Sequence, residues 1–434
     1  PAVAGSGSSS PLFAEPYVAA LTERVFNNPN SPAGYDDDPA SGPPTGVLPF
    51  HRAARGDRSE SFRYERSRAV IYEGNRRRNF VSKGFRVIPQ TPDRILDAPD
   101  LVDDFYLNLL DWSDRNVLAV ALSNALYLWQ ADTGEIKQLM SGGARTNIIT
   151  SVAWNRGGGS LAVGMHDATA SVYDPETSQP TARFDGHTGR IGAMSWNGDV
   201  LATASRDSTI RLYDVRRPNC IGVYQGHTQE VCGLKWSPNG TQLASGGNDN
   251  LLNVWDFNRQ SRECSPTLVA TQHSAAVKAL AWNPVQSGVL ASGGGTADKT
   301  LKFWDVRAGE LINSVDTRSQ VCGAVWNRDG TEIVTSHGYS DNQLTIWKYP
   351  SLTKVADLTG HSSRVLHLAA SPNGETVVSA AGDETIRFWR CFAPPPAADS
   401  HDAASSSPIA PSRGSRVRPR PLDDPPEFEL EAFR

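Results

Sequence analysis

Histidine, serine and aspartate are the residue types of acid–base and nucleophilic chemistry, and they recur in this chain at a fixed spacing ahead of a tryptophan. Two sets are complete: His227, Ser245, Asp249 and Trp255, and His361, Ser379, Asp383 and Trp389. A third has His187, Thr203 and Asp207 but Tyr213 in place of tryptophan. A buried indole N–H needs an acceptor and a buried carboxylate needs several donors, so these residues are expected to bond to one another. We interpret them as structural rather than catalytic.

The rest of the chain offers no catalytic arrangement either. The sequence has no nucleophile–base set, no phosphate-binding loop and no metal-ligand spacing. We therefore predict that the protein is not an enzyme and needs no cofactor or metal. An enzyme built on the same fold is the third hypothesis, behind the two binding functions given below.

Short strands between turns must position these residues. The stretch Gly226–Asp256 contains three runs rich in β-branched and apolar residues: Val231–Trp236, Gln242–Ser245 and Leu251–Trp255. Turns separate the runs, because Gly and Asn tolerate positive φ and Pro fixes φ. The stretch is predicted to form antiparallel strands that need similar neighbours to bury both faces.

Such neighbours are present along the chain as two aromatic columns. The first column is Trp112, Trp154, Trp196, Trp236, Trp282 and Trp326, with Ala370 in register, at successive spacings of 42, 42, 40, 46, 44 and 44 residues. The closing column is Trp129, Tyr173, Tyr213, Trp255, Trp304, Trp347 and Trp389. This period, with Gly-His and Trp-Asp ends, is typical of WD repeats. We predict an all-β, seven-bladed WD-repeat β-propeller.

The propeller is assigned to residues 85–391. Residues 1–84 are predicted to be a flexible N-terminal arm, basic in its second half, and residues 392–434 a disordered C-terminal tail. A ring of repeats is usually closed by a strand from one terminus, and Phe85–Ile88 is expected to be that strand. Leu96–Pro99 would then lie at the junction of the first and last blades.

Composition limits the possible partners and compartments. A net charge of −5 disfavours a general nucleic-acid binder. The sequence contains no apolar run of membrane-span length and no apolar run typical of a signal-peptide h-region. Cys232 and Cys322 occupy equivalent repeat positions, which favours reduced, buried thiols. We predict a protein of the nucleus and cytoplasm that binds neither nucleic acid nor membranes.

Several strings are more specific than a generic WD repeat. They are Arg94–Pro99, Asp103–Ser113, Gln229–Trp236, Ser319–Cys322, Asn342–Leu344, Trp347–Pro350 and Gly382–Trp389. In these strings the chain closely resembles the Fizzy and Fizzy-related family, the activators and substrate receptors of the anaphase-promoting complex, a ubiquitin ligase. The resemblance implies an activator that acts in cell-cycle control. It also implies three kinds of partner: the core subunits of that complex, degron-bearing proteins such as cyclins, and checkpoint inhibitors.

The resemblance implies a first binding site, for the destruction box Arg-x-x-Leu, between the first and last blades. Leu96 would help to form the leucine pocket, and Asp97 and Glu384 would hold the arginine. Two carboxylates that converge on one guanidinium make strong, directional bonds. Asp97 also fits a simple turn before Ala98–Pro99.

A second implied site, for the Lys-Glu-Asn box, lies on the face of the propeller. The positions carried over from the family are Asp104, Phe105, Asn248, Asn250, Thr296, Gln320 and Arg364. Asp104 would take the lysine, Arg364 the glutamate, and the amides the asparagine. Asn248 and Asn250 flank Asp249 in a tight loop, so turn chemistry alone also accounts for them.

Two family features differ in this chain. Asp57–Arg58 is not followed by the rest of the family's C-box, which would then lie upstream of Pro1. Members end in Ile-Arg, which docks on the ligase, whereas this chain has Phe433 and Arg434 as its implied docking tail. The strings favour neither the Fizzy nor the Fizzy-related branch. The alternative function is a degron-binding propeller that does not activate the ligase, a scaffold or regulator.

Overall fold

The computed structural model describes residues 86–141, 147–217, 219–257, 263–339 and 341–392, and the backbone of 431–432. Regular structure in these residues consists of strands. The first sixteen are β1 Arg94–Asp97, β2 Leu110–Trp112, β3 Val117–Leu122, β4 Ala125–Gln130, β5 Ile136–Ser141, β6 Ile149–Trp154, β7 Leu161–Met165, β8 Ala170–Tyr173, β9 Pro180–Phe184, β10 Ile191–Asn197, β11 Val200–Ser205, β12 Thr209–Asp214, β13 Cys220–Gln225, β14 Val231–Trp236, β15 Gln242–Gly247 and β16 Leu252–Asp256.

The remaining strands continue the same pattern towards the carboxyl terminus. They are β17 Glu263–Cys264, β18 Leu268–Ala270, β19 Val277–Trp282, β20 Val289–Gly294, β21 Thr300–Asp305, β22 Glu310–Asp316, β23 Val321–Trp326, β24 Glu332–His337, β25 Leu344–Lys348, β26 Thr353–Leu358, β27 Val365–Ala370, β28 Val377–Ala381, β29 Thr385–Trp389 and β30 Glu431–Ala432.

These strands form seven sheets, the blades of a propeller. Blades 1 to 3 are β2–β5, β6–β9 and β10–β13. Blade 4 is β14–β16 with β18, blades 5 and 6 are β19–β22 and β23–β26, and blade 7 is β27–β29 with β1. The first strand of each blade contacts the first strands of both neighbouring blades, so the seven surround a central channel. The predicted all-β, seven-bladed fold is confirmed.

The ring closes through β1, which comes from the amino-terminal side of the propeller. This strand pairs antiparallel with β29, with Arg94 opposite Phe388 and Asp97 opposite Thr385. The expectation that Phe85–Ile88 closes the ring is wrong: Phe85 lies outside the described residues and Arg86–Ile88 belongs to no strand. The reason lies in what each stretch can bury, since Leu96 is 1% exposed and Val87 is 88% exposed.

Aromatic side chains fill the junction where the closed blade 7 meets blade 1. The ring of Phe388 lies 5.6 Å from that of Trp112 and 4.9 Å from that of Trp129. The guanidinium of Arg94 lies over the Trp129 ring at 5.3 Å. Strand β1 therefore closes the junction with the exposed guanidinium of Arg94 as well as with the buried Leu96.

The recurring histidine, serine and aspartate form the expected network inside the blades. In blade 4, Trp255 Nε1 donates to Ser245 Oγ at 2.8 Å, and His227 Nε2 lies 2.8 Å from the same oxygen. His227 Nδ1 lies 3.0 Å from the Asp249 carboxylate. All of these side chains are buried or nearly so, which suits a structural role. Blade 7 repeats the network with His361, Ser379, Asp383 and Trp389, and blade 5 contains another with His273, Ser292, Asp298 and Trp304.

Seven equivalent turns carry a residue in the left-handed backbone conformation. Each turn joins the second and third strands of a blade, and φ lies between 49° and 71°. The residues are Ser123, Ala168, Ser208, Asn250, Lys299, Asn342 and Glu384. Because this conformation disfavours most side chains but suits asparagine, the turn chemistry proposed for Asn250 is present.

The loops that carry the candidate site residues lie at one end of the ring. In an antiparallel blade, the loop before the first strand and the turn between the second and third strands share an end. We call this the upper end of the propeller. Strand β1 runs towards it and ends there at Asp97.

Candidate functional site

Residues Leu101–Asn108, which we call the crossing segment, connect the closing strand β1 to blade 1. The segment reaches across the upper end of the channel to distant blades. Asn108 Nδ2 donates to the backbone oxygens of Gly192 and Cys232, at 2.7 and 3.0 Å. The segment thus brings its own polar side chains to the inner strands of blades 3 and 4.

Asp104 of the crossing segment lies in a charged cluster around Arg190. Arg190 Nη1 donates to Asp104 Oδ2 at 2.7 Å, and its Nε and Nη2 donate to the two carboxylate oxygens of Glu230 at 2.7 and 3.1 Å. Burial alone would lower the pKa of Arg190, but the bonds to Glu230 and Asp104 raise it overall. Two carboxylates against one guanidinium leave one negative charge, which suits an incoming cation.

Tyr106 connects this cluster to the turn of blade 4. Its hydroxyl donates to Asn248 Oδ1 at 2.7 Å, and Asn248 Nδ2 donates to Gln229 Oε1 at 2.6 Å. Burial raises the pKa of Tyr106, so the phenol remains a donor. Asn250, two residues along, occupies the left-handed turn position with φ of 65°. The side chain of Asn248 is thereby fixed before any ligand arrives.

Thr296 and Gln320 form a second polar pair at the same end. Thr296 Oγ1 donates to Gln320 Oε1 at 2.7 Å, and Gln320 Nε2 donates to Cys322 Sγ at 3.3 Å. Gln320 is buried while Thr296 is exposed. Both residues were predicted for the Lys-Glu-Asn site, and the structure places them side by side.

Phe105 covers a buried cation in the channel. Lys278 Nζ donates to Leu366 O at 3.0 Å and lies 5.5 Å from the centre of the Phe105 ring. Burial lowers the pKa of Lys278 to about 8. Lys278 also lines a channel cavity of about 380 Å³, together with Asn108 of the crossing segment.

Arg364 anchors the crossing segment to blade 7. Its Nε donates to Asp103 Oδ1 at 2.6 Å and its Nη2 to Asp103 O at 2.9 Å. The side chain remains 23% exposed. All seven residues predicted for the Lys-Glu-Asn site therefore surround the upper mouth of the channel.

The sequence interpretation missed three residues here: Asp103, Arg190 and Glu230. A signal for the last two was present in the repeat itself. Arg190, Glu230, Gln320 and Arg364 each immediately precede the first strand of a blade, at the position after the repeat's loop. An alignment of the repeats at that position would have identified these four polar residues as a group.

The residues predicted for the destruction-box site meet at the closing strand. Asp97 ends β1 and is half-buried, and Glu384 is exposed in the turn before β29. Ala98 N, next to Asp97, donates to Glu384 O at 2.8 Å, so the backbones of the two acidic residues lie close together at the upper end. Leu96 belongs to the core of blades 1 and 7 and is 1% exposed, which leaves almost no surface for a ligand to contact.

The implied ligase-docking residues Phe433 and Arg434 lie outside the described residues. The backbone just before them, β30, pairs in parallel with β1, with Leu96 opposite Glu431. Within the described residues, no helix has the length and apolar character that a membrane crossing requires. No group of three His, Cys, Asp or Glu side chains in that part of the chain could hold a metal ion.

Comparison with known proteins connects this surface to a family. A model described as the CDC20/Fizzy WD40 domain matches residues 96–389. The Dictyostelium discoideum protein named "Anaphase-promoting complex subunit cdc20" is 53% identical over 313 residues, which cover 72% of this chain and 62% of that protein. The Arabidopsis thaliana protein named "Cell division cycle 20.1, cofactor of APC complex" is 49% identical over 314 residues, covering 71% of this chain and 69% of that protein.

A solved structure and a second plant protein point the same way. A chain of the structure described as "Crystal Structure of Mitotic Checkpoint Complex" has 45% identity and a TM-score of 0.68, covering 71% of this chain and 98% of that chain. "Protein FIZZY-RELATED 3" of Arabidopsis thaliana is 45% identical over 308 residues, which cover 71% of this chain and 63% of that protein. This chain spans 62% of the length of the Dictyostelium relative. The seven blades and the family-model match over residues 96–389 show that the chain belongs to the CDC20/Fizzy WD40 family.

Proposed function

We propose that the protein is a substrate-recognition and activator subunit of the anaphase-promoting complex. Its propeller binds destruction-box and Lys-Glu-Asn degrons and brings their carriers to the ligase for ubiquitination in cell-cycle control. The observation that carries the proposal is the convergence of the crossing segment with polar side chains of blades 3 to 7 at one end of the channel. Relatives named as subunits or cofactors of that complex support it.

The charges at the upper end match the two degrons. The Lys-Glu-Asn lysine binds the Asp104 cluster, which keeps one negative charge, and the glutamate binds Arg364. Asn248, Thr296 and Gln320 supply amide and hydroxyl groups for the asparagine. The destruction-box arginine binds Asp97 and Glu384, whose backbones lie close together where β1 ends and β29 begins.

The protein acts as an adaptor and not as an enzyme. Its histidine, serine and aspartate sets hold the blades together, and their serine hydroxyls are hydrogen-bonded to tryptophan and histidine. The partners are the ligase core, degron-bearing proteins such as cyclins, and checkpoint inhibitors, in the nucleus and cytoplasm. Phe433 and Arg434 form the docking tail for the ligase.

Binding of two fluorescent peptides tests the degron sites, with each peptide carrying one degron. Arg364→Ala weakens the Lys-Glu-Asn peptide by about 2 kcal/mol or more, because a charged partner is lost. Asp97→Ala and Glu384→Ala each weaken the Arg-x-x-Leu peptide, and the double variant shows coupling because both serve one guanidinium. Each set of variants serves as the control for the other peptide.

Ubiquitination by the purified ligase tests activation separately. The protein should stimulate modification of a destruction-box substrate, and deletion of Phe433 and Arg434 should reduce this stimulation and co-purification. Peptide binding without stimulation would favour the non-activating receptor instead. Variants that lose both peptides equally would contradict the two-site assignment.

A further inference from the structure

Two arginines occupy the same repeat position, Arg190 and Arg364, and they differ in how many of their guanidinium nitrogens already have an acceptor. All three guanidinium nitrogens of Arg190 donate to carboxylates, and its side chain is 13% exposed. Arg364 uses Nε and Nη2 only, and Nη1 has no acceptor among the residues that the structure describes. Of these two, Arg364 is therefore the one that can bind a ligand carboxylate through Nη1.

Asp103 occupies one particular edge of the Arg364 guanidinium. Its carboxylate takes the Nε–H and its backbone oxygen takes one Nη2–H, and both donors lie on the side edge of the planar group. The end edge, formed by Nη1 and the second Nη2 hydrogen, is left open. A carboxylate binds either edge in bidentate fashion, so Asp103 fills one edge without filling the other.

Gly382 makes room for this arrangement in the neighbouring turn. Its N–H donates to Arg364 O at 3.2 Å. A Cβ atom at this position would lie 2.8 Å from Asp103 Cγ, closer than such atoms approach. The Asp103 carboxylate thus lies directly over a glycine, which limits where it can place the arginine.

We propose that Asp103 is a positioning residue that holds Arg364 by its side edge and presents the end edge to the acidic residue of a degron. The inference rests on the proposed function and deepens it, because it names a residue that sets the preference for glutamate over a neutral side chain. A free arginine side chain would have to be ordered on binding, whereas Arg364 is ordered already.

The test measures affinities of the full chain for two peptides, one with Lys-Glu-Asn and a matched one with Lys-Gln-Asn. Asp103→Ala should weaken the glutamate peptide about three- to tenfold, the loss expected for one net hydrogen bond, and the glutamine peptide by much less. Asp103→Asn should restore binding, because its amide oxygen still accepts the Nε–H and the backbone oxygen is unchanged. Gly382→Ala should resemble Asp103→Ala, because the new methyl group displaces the carboxylate.

The sign of the effect separates the inference from its competitor. Tighter binding in both Asp103 variants would mean that Asp103 competes with the ligand, and would overturn the inference. Equal losses for the two peptides, or no rescue by asparagine, would reduce Asp103 to a structural contact. If the wild-type chain bound neither peptide, or if Arg364→Ala had no effect, the proposed function would fail first and the inference with it.

Discussion

Glu384 has a backbone conformation that glutamate rarely adopts, at a turn where blades 4 and 6 have asparagine. A non-glycine residue in the left-handed region costs free energy, and asparagine bears it better than most. The turn geometry is imposed by the blade, since all seven turns share it. The turn therefore does not require glutamate at this position, and the ligand-binding role proposed for its carboxylate is a separate one.

The substitution Glu384→Asn should separate these two roles. The propeller should gain about 0.5–1 kcal/mol of stability, because asparagine relieves the strain. The Arg-x-x-Leu peptide should bind more weakly, because one of the two carboxylates is lost. Denaturant unfolding and peptide titration measure the two effects, and Ser208→Asn in the equivalent turn of blade 3 is the matched control. A variant that lost stability would contradict the strain argument.

At the residue scale, the sequence could name the candidate site residues but not their hydrogen-bond partners within the protein. Asn248, Gln320 and Arg364 could be transferred position by position from a family pattern. The bond between Arg364 and Asp103 joins residues 261 positions apart, and that between Arg190 and Asp104 spans 86. Such pairs depend on how the crossing segment lies over the channel, and no local pattern encodes that path.

At the scale of the blade, a four-residue network in blades 4, 5 and 7 stabilises the sheet through one serine hydroxyl. Ser245 is fully buried and bonds to both Trp255 and His227. Burial alone would raise the pKa of Asp249, but the hydrogen bond from His227 and the backbone N–H groups lower it overall. The aspartate therefore stays charged. The hydrogen bonds all run in one direction: tryptophan donates to serine, serine to histidine, and histidine to aspartate.

Removing that hydroxyl should be costly. Ser245→Ala should destabilise the propeller by about 2–4 kcal/mol, because it leaves two buried polar groups unpaired. Equilibrium unfolding in denaturant measures the loss. Ser287→Ala, at an exposed serine, should change stability by less than about 0.5 kcal/mol. Equal, small effects for the two variants would mean that the network contributes little.

The blade also shows where a motif fails. The blade 5 network escaped detection because His273 follows Gln272 and not glycine, and its turn is two residues longer than that of blade 4. In blade 6, the histidine moves into the strand: His337 Nε2 lies 2.8 Å from Thr335 Oγ1, which also accepts from Trp347 Nε1. In blades 4 to 7 the closing indole keeps a hydroxyl acceptor although the surrounding residues change. In blade 1, Trp129 Nε1 is buried without a hydrogen-bond partner among the described residues.

The closing strand could not be identified for a related reason. Phe85–Ile88 and Arg94–Asp97 are both short stretches with apolar residues, and local pattern favours neither. The choice is made by the edge of β29, whose sequence lies almost three hundred positions away. In contrast, the number of blades was predictable because each of the seven repeats has an aromatic residue in the closing column.

At the scale of the whole molecule, several buried histidines link stability to pH. Burial lowers the pKa of His337 to about 4 and that of His367 well below its usual value. Burial also lowers the pKa of His273 and His361, although Asp298 and Asp383 act in the opposite direction. Each of these imidazoles is therefore neutral in the folded protein and gains a proton more readily when the chain unfolds.

The propeller should lose stability as the pH falls below about 6.5, the pKa of an unfolded histidine. The contribution of His337, up to about 3 kcal/mol, should be lost progressively down to pH 4, since the unfolded state binds the extra proton. Unfolding midpoints between pH 7.5 and pH 4.5 measure this slope. His337→Gln should reduce the slope, and the exposed His166→Gln should leave it unchanged. A flat profile in the wild type would refute the linkage.

The pairing of β1 with β29 also has a consequence for biosynthesis. Asp97 and its partner Thr385 are separated by 385 − 97 = 288 positions, so β1 emerges from the ribosome long before its neighbour exists. At about 5–20 residues per second, translation of the intervening chain takes roughly 15–60 s. During that time the acidic pair has not been assembled. A nascent or prematurely terminated chain therefore lacks this acidic pair, and only a completed propeller presents it.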